Sequence, residues 1–291
     1  MQIKPRMNRF LPLLLFCLTG LVAAQDQSAQ PKPQIRYGQN AAAASYARVN
    51  RIKLYYETYG DGPVMLQIHG NGQSIAAMRN QISFFSTHYK VIAADSRGHG
   101  KSEMGEGRLT YEIMAEDLNA LLESLGQKRI HVLGWSDGGI IGLLLAIHHP
   151  DKVGKLAIMG ANLEPSGAYE WAVQWAEKQS QQANQMLAKG DASQPWKTYQ
   201  QHLDLLLKQP HISLGDLRKI LAPTLVMAGD KDVIQTAHTV SIFENLPNAH
   251  LCIFPGATHM IPVQDPQLFN QTVERFFAKP YARPDTKDIF K

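Results

Sequence analysis

The chain has 291 residues and an apolar fraction of 44%, which suffices for a sizeable core in one α/β domain. Its formal net charge of +4 includes Lys4, Arg6 and Arg9, which all precede the first acidic residue, Asp26. Without the first 24 residues the chain is nearly neutral. This excludes the positive surface expected of a nucleic-acid-binding protein.

Residues 1–24 have the three-part pattern of a secretory signal peptide: a basic start, an apolar run and two small residues. The apolar run covers residues 10–22, which is short for a transmembrane helix of about 20 residues. We predict cleavage after Ala24, and hence a periplasmic or secreted protein with no stable membrane insertion. An uncleaved N-terminal anchor is the alternative. A lipid anchor on Cys17 is disfavoured, because this cysteine follows Phe16 and not a small residue.

Residues 25–45 are rich in Gln, Pro and Ala and lack a sustained apolar period, so they are predicted to be a flexible linker. One domain is expected over residues 46–279, followed by a C-terminal tail over residues 280–291. Strand-like and helix-like segments alternate through this domain. The predicted strands are 52–59, 64–68, 89–94, 130–133, 153–159, 223–228 and 250–254, and the predicted helices are 110–125, 138–149 and 266–277. This alternation predicts an α/β fold with a mostly parallel sheet covered on both faces.

The interval 164–217 interrupts this alternation. It is polar, has helical spacing and contains Trp171 and Trp175. Because it falls between two predicted strands, we predict a helical insertion that covers the active site as a lid. A peripheral helical layer without that role is the alternative.

The segment Gly134-Trp135-Ser136-Asp137-Gly138 matches the G-x-S-x-G pattern of a nucleophile elbow. The pattern alone is weak evidence, but a predicted strand precedes it and a predicted apolar helix follows it. A sharp strand-to-helix turn tolerates only small residues two positions either side of the nucleophile. We therefore predict Ser136 as the nucleophile. If Asp137 had that role, Trp135 would occupy a position where a small residue is needed.

A serine nucleophile requires a base, and the base requires an orienting carboxylate. His259 is the best candidate base, because it lies in a loop directly after a late predicted strand. Asp232 is the best candidate acid, because it follows the preceding strand and gives the chain order Ser, Asp, His. Asp230 is the alternative acid, and Glu164 is a more distant one.

The tetrahedral intermediate of such a reaction needs hydrogen-bond donors for its oxyanion. The backbone N–H of Asp137, at the start of the helix, is the first candidate donor. The second is the backbone N–H of Asn71, in the His69-Gly70-Asn71-Gly72 loop that follows an early predicted strand. Glycines in this loop let the backbone approach a substrate closely.

These motifs occur in the order typical of the α/β-hydrolase superfamily, which the chain resembles over residues 52–277. The matching features are the 69–72 loop, the Asp95-Ser96-Arg97-Gly98-His99-Gly100-Lys101-Ser102 segment, the elbow, Asp232 and His259. The stretch 133–140 is particularly similar to the elbow of the biphenyl-hydrolase-like group, which includes valacyclovir hydrolase. The resemblance implies the α/β-hydrolase fold and a catalytic triad of Ser136, Asp232 and His259.

Two residues of the elbow are candidate substrate-binding residues. Asp137 is interpreted either as an acid in the first turn of a helix, favoured by the helix dipole, or as a carboxylate that attracts a cationic substrate. Trp135, together with Trp171 and Trp175, is a candidate lining of an apolar pocket. No histidine–carboxylate cluster has metal-site spacing, and no cofactor is expected.

The sequence thus predicts a serine hydrolase that cleaves a small carboxylic ester through an acyl-enzyme. Amide hydrolysis, cleavage of a carbon–carbon bond next to a ketone, and acyl transfer to an acceptor other than water use the same triad and remain open. A non-catalytic binding module on this fold is a further alternative. Fold and triad do not specify the substrate, and the oligomeric state is not predicted.

Overall fold

The computed structural model describes residues 35–290, so the predicted signal peptide and residues 25–34 of the predicted linker lie outside the described residues. In the described part, eight strands form one sheet. The strands are β1 (Ala44–Val49), β2 (Ile52–Tyr59), β3 (Val64–Ile68), β4 (Lys90–Ala94), β5 (Ile130–Trp135), β6 (Val153–Met159), β7 (Thr224–Lys231) and β8 (Ala249–Thr258). The predicted α/β fold is confirmed.

The strand order determines where the site lies. It is β1-β2-β4-β3-β5-β6-β7-β8, with antiparallel β1–β2 and β2–β4 pairs and parallel pairs elsewhere. The chain passes from β3 outward to β4 and then returns to β5 on the other side of β3. Such a reversal leaves a crevice at the carboxyl ends of the strands, where ligands bind in open α/β sheets. Ile68 pairs with Gly134, so the 69–72 loop and Ser136 emerge side by side.

Helices cover both faces of the sheet. They are α1 (Arg79–Phe85), α2 (Tyr111–Ser124), α3 (Asp137–His148), α4 (Glu170–Ala188), α5 (Trp196–Lys208), α6 (Leu214–Leu217), α7 (Thr236–Asn245), α8 (Ile261–Gln264) and α9 (Pro266–Ala278). Leu118 of α2, Ile140 of α3 and Ile242 of α7 belong to one core cluster, whereas Ile82 of α1 and Phe269 of α9 belong to the other. Within residues 35–290, no helix is both long and apolar enough to span a bilayer.

Residues 36–45 differ from the predicted linker. β1 already begins at Ala44, and the buried carboxylate of Glu57 accepts hydrogen bonds from the backbone N–H groups of Gly38 (2.7 Å) and Asn40 (2.9 Å). The hydroxyl of Tyr59 donates to the same carboxylate (2.7 Å). A buried carboxylate is stable only when such donors surround it, so these contacts hold the segment against β2.

The sequence pattern does not predict α1 or α7. Helix α1 has seven residues, which is too short to show an amphipathic period. Helix α7 contains β-branched residues of low helix propensity and buries only Thr239 and Ile242. Tertiary packing, and not local propensity, accounts for both helices.

The interval 164–217 contains α4, α5 and α6, which lie between β6 and β7 in the chain. We use the word lid for these residues from here on. Helices α4 and α5 pack against each other around Ala183, Trp196 and Leu203, which form a small cluster separate from the two main ones. An isolated bridge joins Ala168, at the start of the lid, to Ile234 after β7.

The first part of the predicted C-terminal tail packs against the domain. The ring of Tyr281 lies 5.0 Å from that of His250, between centroids. The guanidinium of Arg283 donates to the carbonyl oxygen of Pro247 (3.3 Å). The chain therefore contacts the domain beyond residue 279, where the domain was expected to end.

Candidate active site

Ser136 lies in the sharp turn between β5 and α3, with φ 58° and ψ −121°. A positive φ is strained for a residue that has a Cβ atom. The flanking glycines are required because a larger residue would clash with the backbone. A Cβ on Gly134 would lie 2.1 Å from the carbonyl oxygen of Gly138. A Cβ on Gly138 would lie 2.1 Å from that of Ile68. The turn thus has the strand–turn–helix geometry expected of a nucleophile elbow.

His259 and Asp232 come together at the carboxyl ends of β8 and β7. The Nδ1 atom of His259 lies 2.7 Å from Oδ1 of Asp232. The backbone N–H groups of Gly229 and Ile234 also donate to the Asp232 carboxylate. Burial by itself raises the pKa of Asp232, but the hydrogen bond and charge of His259, with these N–H groups, hold it below its usual value. Asp232 is therefore an ionised partner that orients the imidazole.

The other two carboxylates considered for this role lie elsewhere. Asp230 is exposed, and its Oδ2 atom accepts from the backbone N–H of Gly256 (2.9 Å). Glu164 is also exposed and precedes a short 3₁₀ turn at the start of the lid. Within the described residues, the carboxylate that hydrogen-bonds His259 is that of Asp232.

The structure corrects the prediction that Trp135 lines the substrate pocket. Strand residues two apart point to the same face, so Trp135 shares with Leu133 the face of β5 that packs toward α1 and α9. Trp135 is 1% exposed and is not among the residues that line the cavity described below. Its indole N–H donates to the carbonyl oxygen of His259 (2.9 Å). Trp135 thus supports the backbone of His259 from beneath the site.

Gly160, directly after β6, is a site residue that sequence reasoning missed. Its φ is 64°, and a Cβ here would lie 2.6 Å from Cε1 and Nδ1 of His259. The glycine therefore provides the space that the imidazole occupies. The available signal was a single glycine at a strand end, which does not reveal the distant ring.

A cavity of about 290 Å³ opens between these loops and the lid. Ser136 and His259 both line it, as do Asn71 and Asp137. Its apolar wall comes from the lid and from the residues after β7, namely Ala168, Trp171, Ala172, Val173, Trp175, Ala176, Leu206, Val233 and Ile234. No lysine or arginine is among its lining residues in the described chain. Nor, over residues 35–290, is any group of three or more His, Cys, Asp or Glu side chains arranged to hold a metal ion.

The carboxylate of Asp137 lies in the cavity wall, directed toward two donors. The Nδ2 group of Asn71 donates to its Oδ2 atom (2.8 Å), and the hydroxyl of Tyr111 forms a second hydrogen bond. Burial raises the pKa of Asp137 to about 6, although both hydrogen bonds and the charge of His259 act to lower it. Sequence reasoning did not single out Tyr111, because a residue near the start of the predicted helix 110–125 carries no signal of this contact.

The candidate oxyanion donors lie beside each other. Asp137 is the first residue of α3, where the N–H groups of a helix lack internal partners. Gly70 is excluded as a donor, because its N–H donates to Oε1 of Gln73 (3.1 Å). Among the described residues, the backbone N–H groups of Asn71 and Asp137 make no hydrogen bond. Both remain available for an oxyanion.

The lid presents two tryptophans to the cavity. Trp171 and Trp175 occupy one face of α4, four residues apart, and both line the cavity. They are nevertheless 59% and 54% exposed. They do not pack the lid to the core, and instead form an apolar rim at the mouth of the site.

Comparison with known proteins matches residues 63–194 to a family described as having the alpha/beta hydrolase fold. Serine hydrolase BPHL of Mus musculus is 27% identical over 94% of this chain and 98% of its own. The 3-oxoadipate enol-lactonase 2 of Acinetobacter baylyi is 27% identical over 77% of this chain and 92% of its own. The crystal structure of a hydrolase from Pseudomonas aeruginosa is 26% identical, with a TM-score of 0.65. It covers 82% of this chain and 100% of that one.

Strand order, elbow and these similarities together define the α/β-hydrolase fold. The chain is a hydrolase enzyme of this type, and it resembles serine hydrolase BPHL along nearly the whole of both sequences. The family resemblance stated from the sequence motifs is thereby confirmed.

Proposed function

We propose that the enzyme hydrolyses a small carboxylic ester through an acyl-enzyme on Ser136. The observation that carries this proposal is the 2.7 Å contact of His259 with Asp232, in a cavity that Ser136 also lines. A strained elbow serine, a histidine and a buried carboxylate are the parts that nucleophilic acyl transfer requires.

In the first step, Oγ of Ser136 attacks the ester carbonyl carbon while Nε2 of His259 takes the hydroxyl proton. The tetrahedral intermediate collapses as His259 gives this proton to the leaving alkoxide, which departs as the alcohol. Water then attacks the acyl-enzyme with His259 as base, and the carboxylic acid departs from the restored serine. Asp232 keeps Nδ1 protonated and stabilises the imidazolium in both steps.

The developing oxyanion is stabilised by the backbone N–H groups of Asn71 and Asp137. The Asp137 carboxylate is compatible with this role, because its hydrogen bonds direct it toward Asn71 and Tyr111. A carboxylate directed at the oxyanion would oppose the developing charge.

The charges around the cavity favour a neutral or cationic substrate. Within residues 35–290, Asp137 is the carboxylate among the lining residues, and no lysine or arginine lines the cavity to pair with an anionic acyl group. The apolar wall and the rim of Trp171 and Trp175 favour an apolar acyl or alkoxy group. Relatives include an enol-lactonase and a putative carbamate hydrolase, so lactones and carbamates belong in the first substrate panel with esters.

A fluorophosphonate probe and the variant Ser136→Ala test this proposal. The wild-type enzyme should be labelled at Ser136 and should turn over simple esters. Ser136→Ala should lose labelling and at least about 10³-fold in kcat. Retained ester hydrolysis in the variant would reject Ser136 as nucleophile. A folded wild-type protein that neither labels nor hydrolyses would favour a binding module. Turnover confined to amides, to ketone-adjacent carbon–carbon bonds, or to acyl acceptors other than water would reassign the reaction on the same triad.

We also propose, from the pattern of residues 1–24, that the enzyme acts in the periplasm or outside the cell. Mass spectrometry of the N-terminus after expression with the full chain tests this. A mature protein that begins at Gln25 is expected, whereas an intact N-terminus in the membrane fraction would support the uncleaved anchor.

A further inference from the structure

The side chain of Asn71 connects the nucleophile elbow to the lid. Its Nδ2 group donates to Oδ2 of Asp137 (2.8 Å) and also to the backbone carbonyl of His202 (3.0 Å). Asp137 begins helix α3, whereas His202 lies in the middle of lid helix α5. One amide group thus holds both α3 and α5, although Asn71 is 131 residues from His202 in the chain.

The loop that carries Asn71 depends on this side chain for its position. Gly70 is held by a hydrogen bond from its N–H to Gln73, whose own backbone N–H returns to the carbonyl of Gly70. Between these two residues, Gly72 has a φ of 64°, and a Cβ placed there would meet no atom within 4 Å. In the described chain, the backbones of Asn71 and Gly72 make no hydrogen bond. The Asn71 amide is therefore what restrains this stretch.

His202 is firmly seated on the catalytic domain. Its ring is stacked on that of His99, with centroids 4.0 Å apart and planes 14° apart. Its Nε2 atom lies 3.0 Å from the carbonyl oxygen of Gly98. One helical turn further, Leu206 lines the cavity. Helix α5 therefore contacts both the substrate space and the amide that restrains the oxyanion loop.

We propose that Asn71 is a positioning residue whose side chain makes the oxyanion geometry depend on the seating of lid helix α5. The inference rests on the proposed function, in which the backbone N–H of Asn71 binds the oxyanion. With α5 seated, the carbonyl of His202 and the carboxylate of Asp137 hold the amide, and the backbone N–H of Asn71 is kept in place to donate to the oxyanion. When α5 moves away, one of these two anchors is lost and the donor is free to turn.

The variant Asn71→Ala tests this, because it keeps the backbone N–H and removes only the amide. A displaced oxyanion donor weakens transition-state binding more than substrate binding. We expect kcat to fall about tenfold or more, with KM changed less than threefold. Affinity for an alkylboronic acid, which forms a tetrahedral adduct with the serine, should fall by a similar factor. Far-UV circular dichroism and Tm verify that the variant is folded.

Three further variants separate this role from alternatives. Tyr111→Phe removes the other hydrogen bond to Asp137 and leaves Asn71 in place. His202→Phe keeps a stacked ring but loses the bond to Gly98. Gln200→Ala lies on α5 and removes a contact with Ser180 of α4 (2.8 Å), away from the catalytic domain. His202→Phe should lower kcat in the wild-type background but have little further effect when combined with Asn71→Ala. Gln200→Ala should leave kcat within about twofold in either background.

The outcomes distinguish this inference from the proposed function. If wild-type enzyme shows no fluorophosphonate labelling and no ester turnover, the proposed function fails. If wild-type enzyme is active but Asn71→Ala retains kcat and boronic acid affinity, the positioning role alone is overturned. A loss in Tyr111→Phe equal to that in Asn71→Ala, or additive effects of His202→Phe and Asn71→Ala, would also overturn it.

Discussion

Asp230, near the end of β7, and Asp232, directly after β7, lie two residues apart and have opposite environments. The side chain of Asp232 is fully buried and accepts hydrogen bonds from His259 and from two backbone N–H groups. Asp230 is exposed and accepts one hydrogen bond, from the backbone of Gly256. Only a carboxylate shielded from water interacts strongly with an imidazolium, because bulk solvent screens the exposed one.

We therefore predict that Asp232→Asn lowers kcat by roughly 10³–10⁴-fold, since an amide at this position favours the wrong imidazole tautomer. Asp230→Asn, the matched control two residues away, should stay within about threefold of wild type. Steady-state ester hydrolysis measures both. The reverse ranking would transfer the orienting role to Asp230.

Asp137 is the residue through which substrate charge is most directly tested. Because its pKa is raised to about 6, its carboxylate is largely ionised at neutral pH and protonated below pH 6. We predict that the ratio of kcat/KM for a cationic ester to that for its neutral isostere rises as pH increases through about 6. Titration of the triad cancels in this ratio. Asp137→Asn should abolish the rise. If the ratio and its pH dependence were the same in Asp137→Asn as in wild type, Asp137 would not attract the substrate. Its role would then be that of an acid that complements the helix dipole of α3.

At the scale of elements, helix α4 of the lid determines the shape of the cavity mouth. Trp171 and Trp175 line the cavity while remaining more than half exposed, so an apolar substrate group buries surface that water now contacts. Burial of about 50–100 Å² of apolar surface contributes roughly 1–2 kcal/mol to binding. The exposed faces of the two tryptophans can thus bind a ligand without disrupting contacts that stabilise the fold.

We predict that Trp171→Ala combined with Trp175→Ala lowers kcat/KM about tenfold for esters with long apolar chains. Acetate esters, which have little apolar surface to bury against the tryptophans, should be affected less than threefold. Leu187→Ala is the matched control, because Leu187 is an exposed apolar residue of the same helix that does not line the cavity. An equal loss for short and long esters would show that the tryptophans act on the fold of the lid.

Elements with a strong sequence period were predictable, and contacts across elements were not. Strand β3 and strand β6 were predicted with the bounds that the structure has, because both are short, mostly apolar and largely buried. The burial of Trp135 could also have been predicted from the two-residue alternation of β5. Trp135 comes two residues after Leu133, so both side chains point to the same core face. By contrast, Tyr111 and His202 reach the site through the packing of α2 and α5. No local spacing encodes that packing.

At the scale of the whole molecule, several histidines are held neutral in the folded state. Burial lowers the pKa of His69 and of His131 to about 4, and burial with two neighbouring imidazoles lowers that of His99 well below its usual value. Between about pH 4 and 6.5 the unfolded chain therefore binds more protons at these residues than the folded chain. These histidines therefore do not lower the free energy of unfolding above pH 6.5, but they lower it progressively as pH falls from 6.5 toward 4. Asp137, whose folded pKa is raised, acts in the opposite direction below pH 6.

His131 allows this to be tested away from the site. Its ring is stacked on Phe277 at 4.7 Å between centroids, so His131→Phe preserves the packing and removes the proton-binding group. We predict similar free energies of unfolding for wild type and variant at pH 7.5. At pH 5 the variant should be more stable by about 2 kcal/mol, because it no longer loses stability as the unfolded histidine is protonated. Urea unfolding at half-unit pH intervals measures the difference.

The exposed His88 provides the control for this prediction, since His88→Gln should give a stability curve parallel to that of wild type. A His131→Phe curve that is also parallel to wild type would mean that the histidine is solvated before the chain unfolds. In that case local opening of β5 from α9 would precede global unfolding. Amide hydrogen exchange of β5 at pH 5 would then give a free energy of opening well below the global free energy of unfolding. If His131 is protonated only in the unfolded chain, the two free energies should be equal.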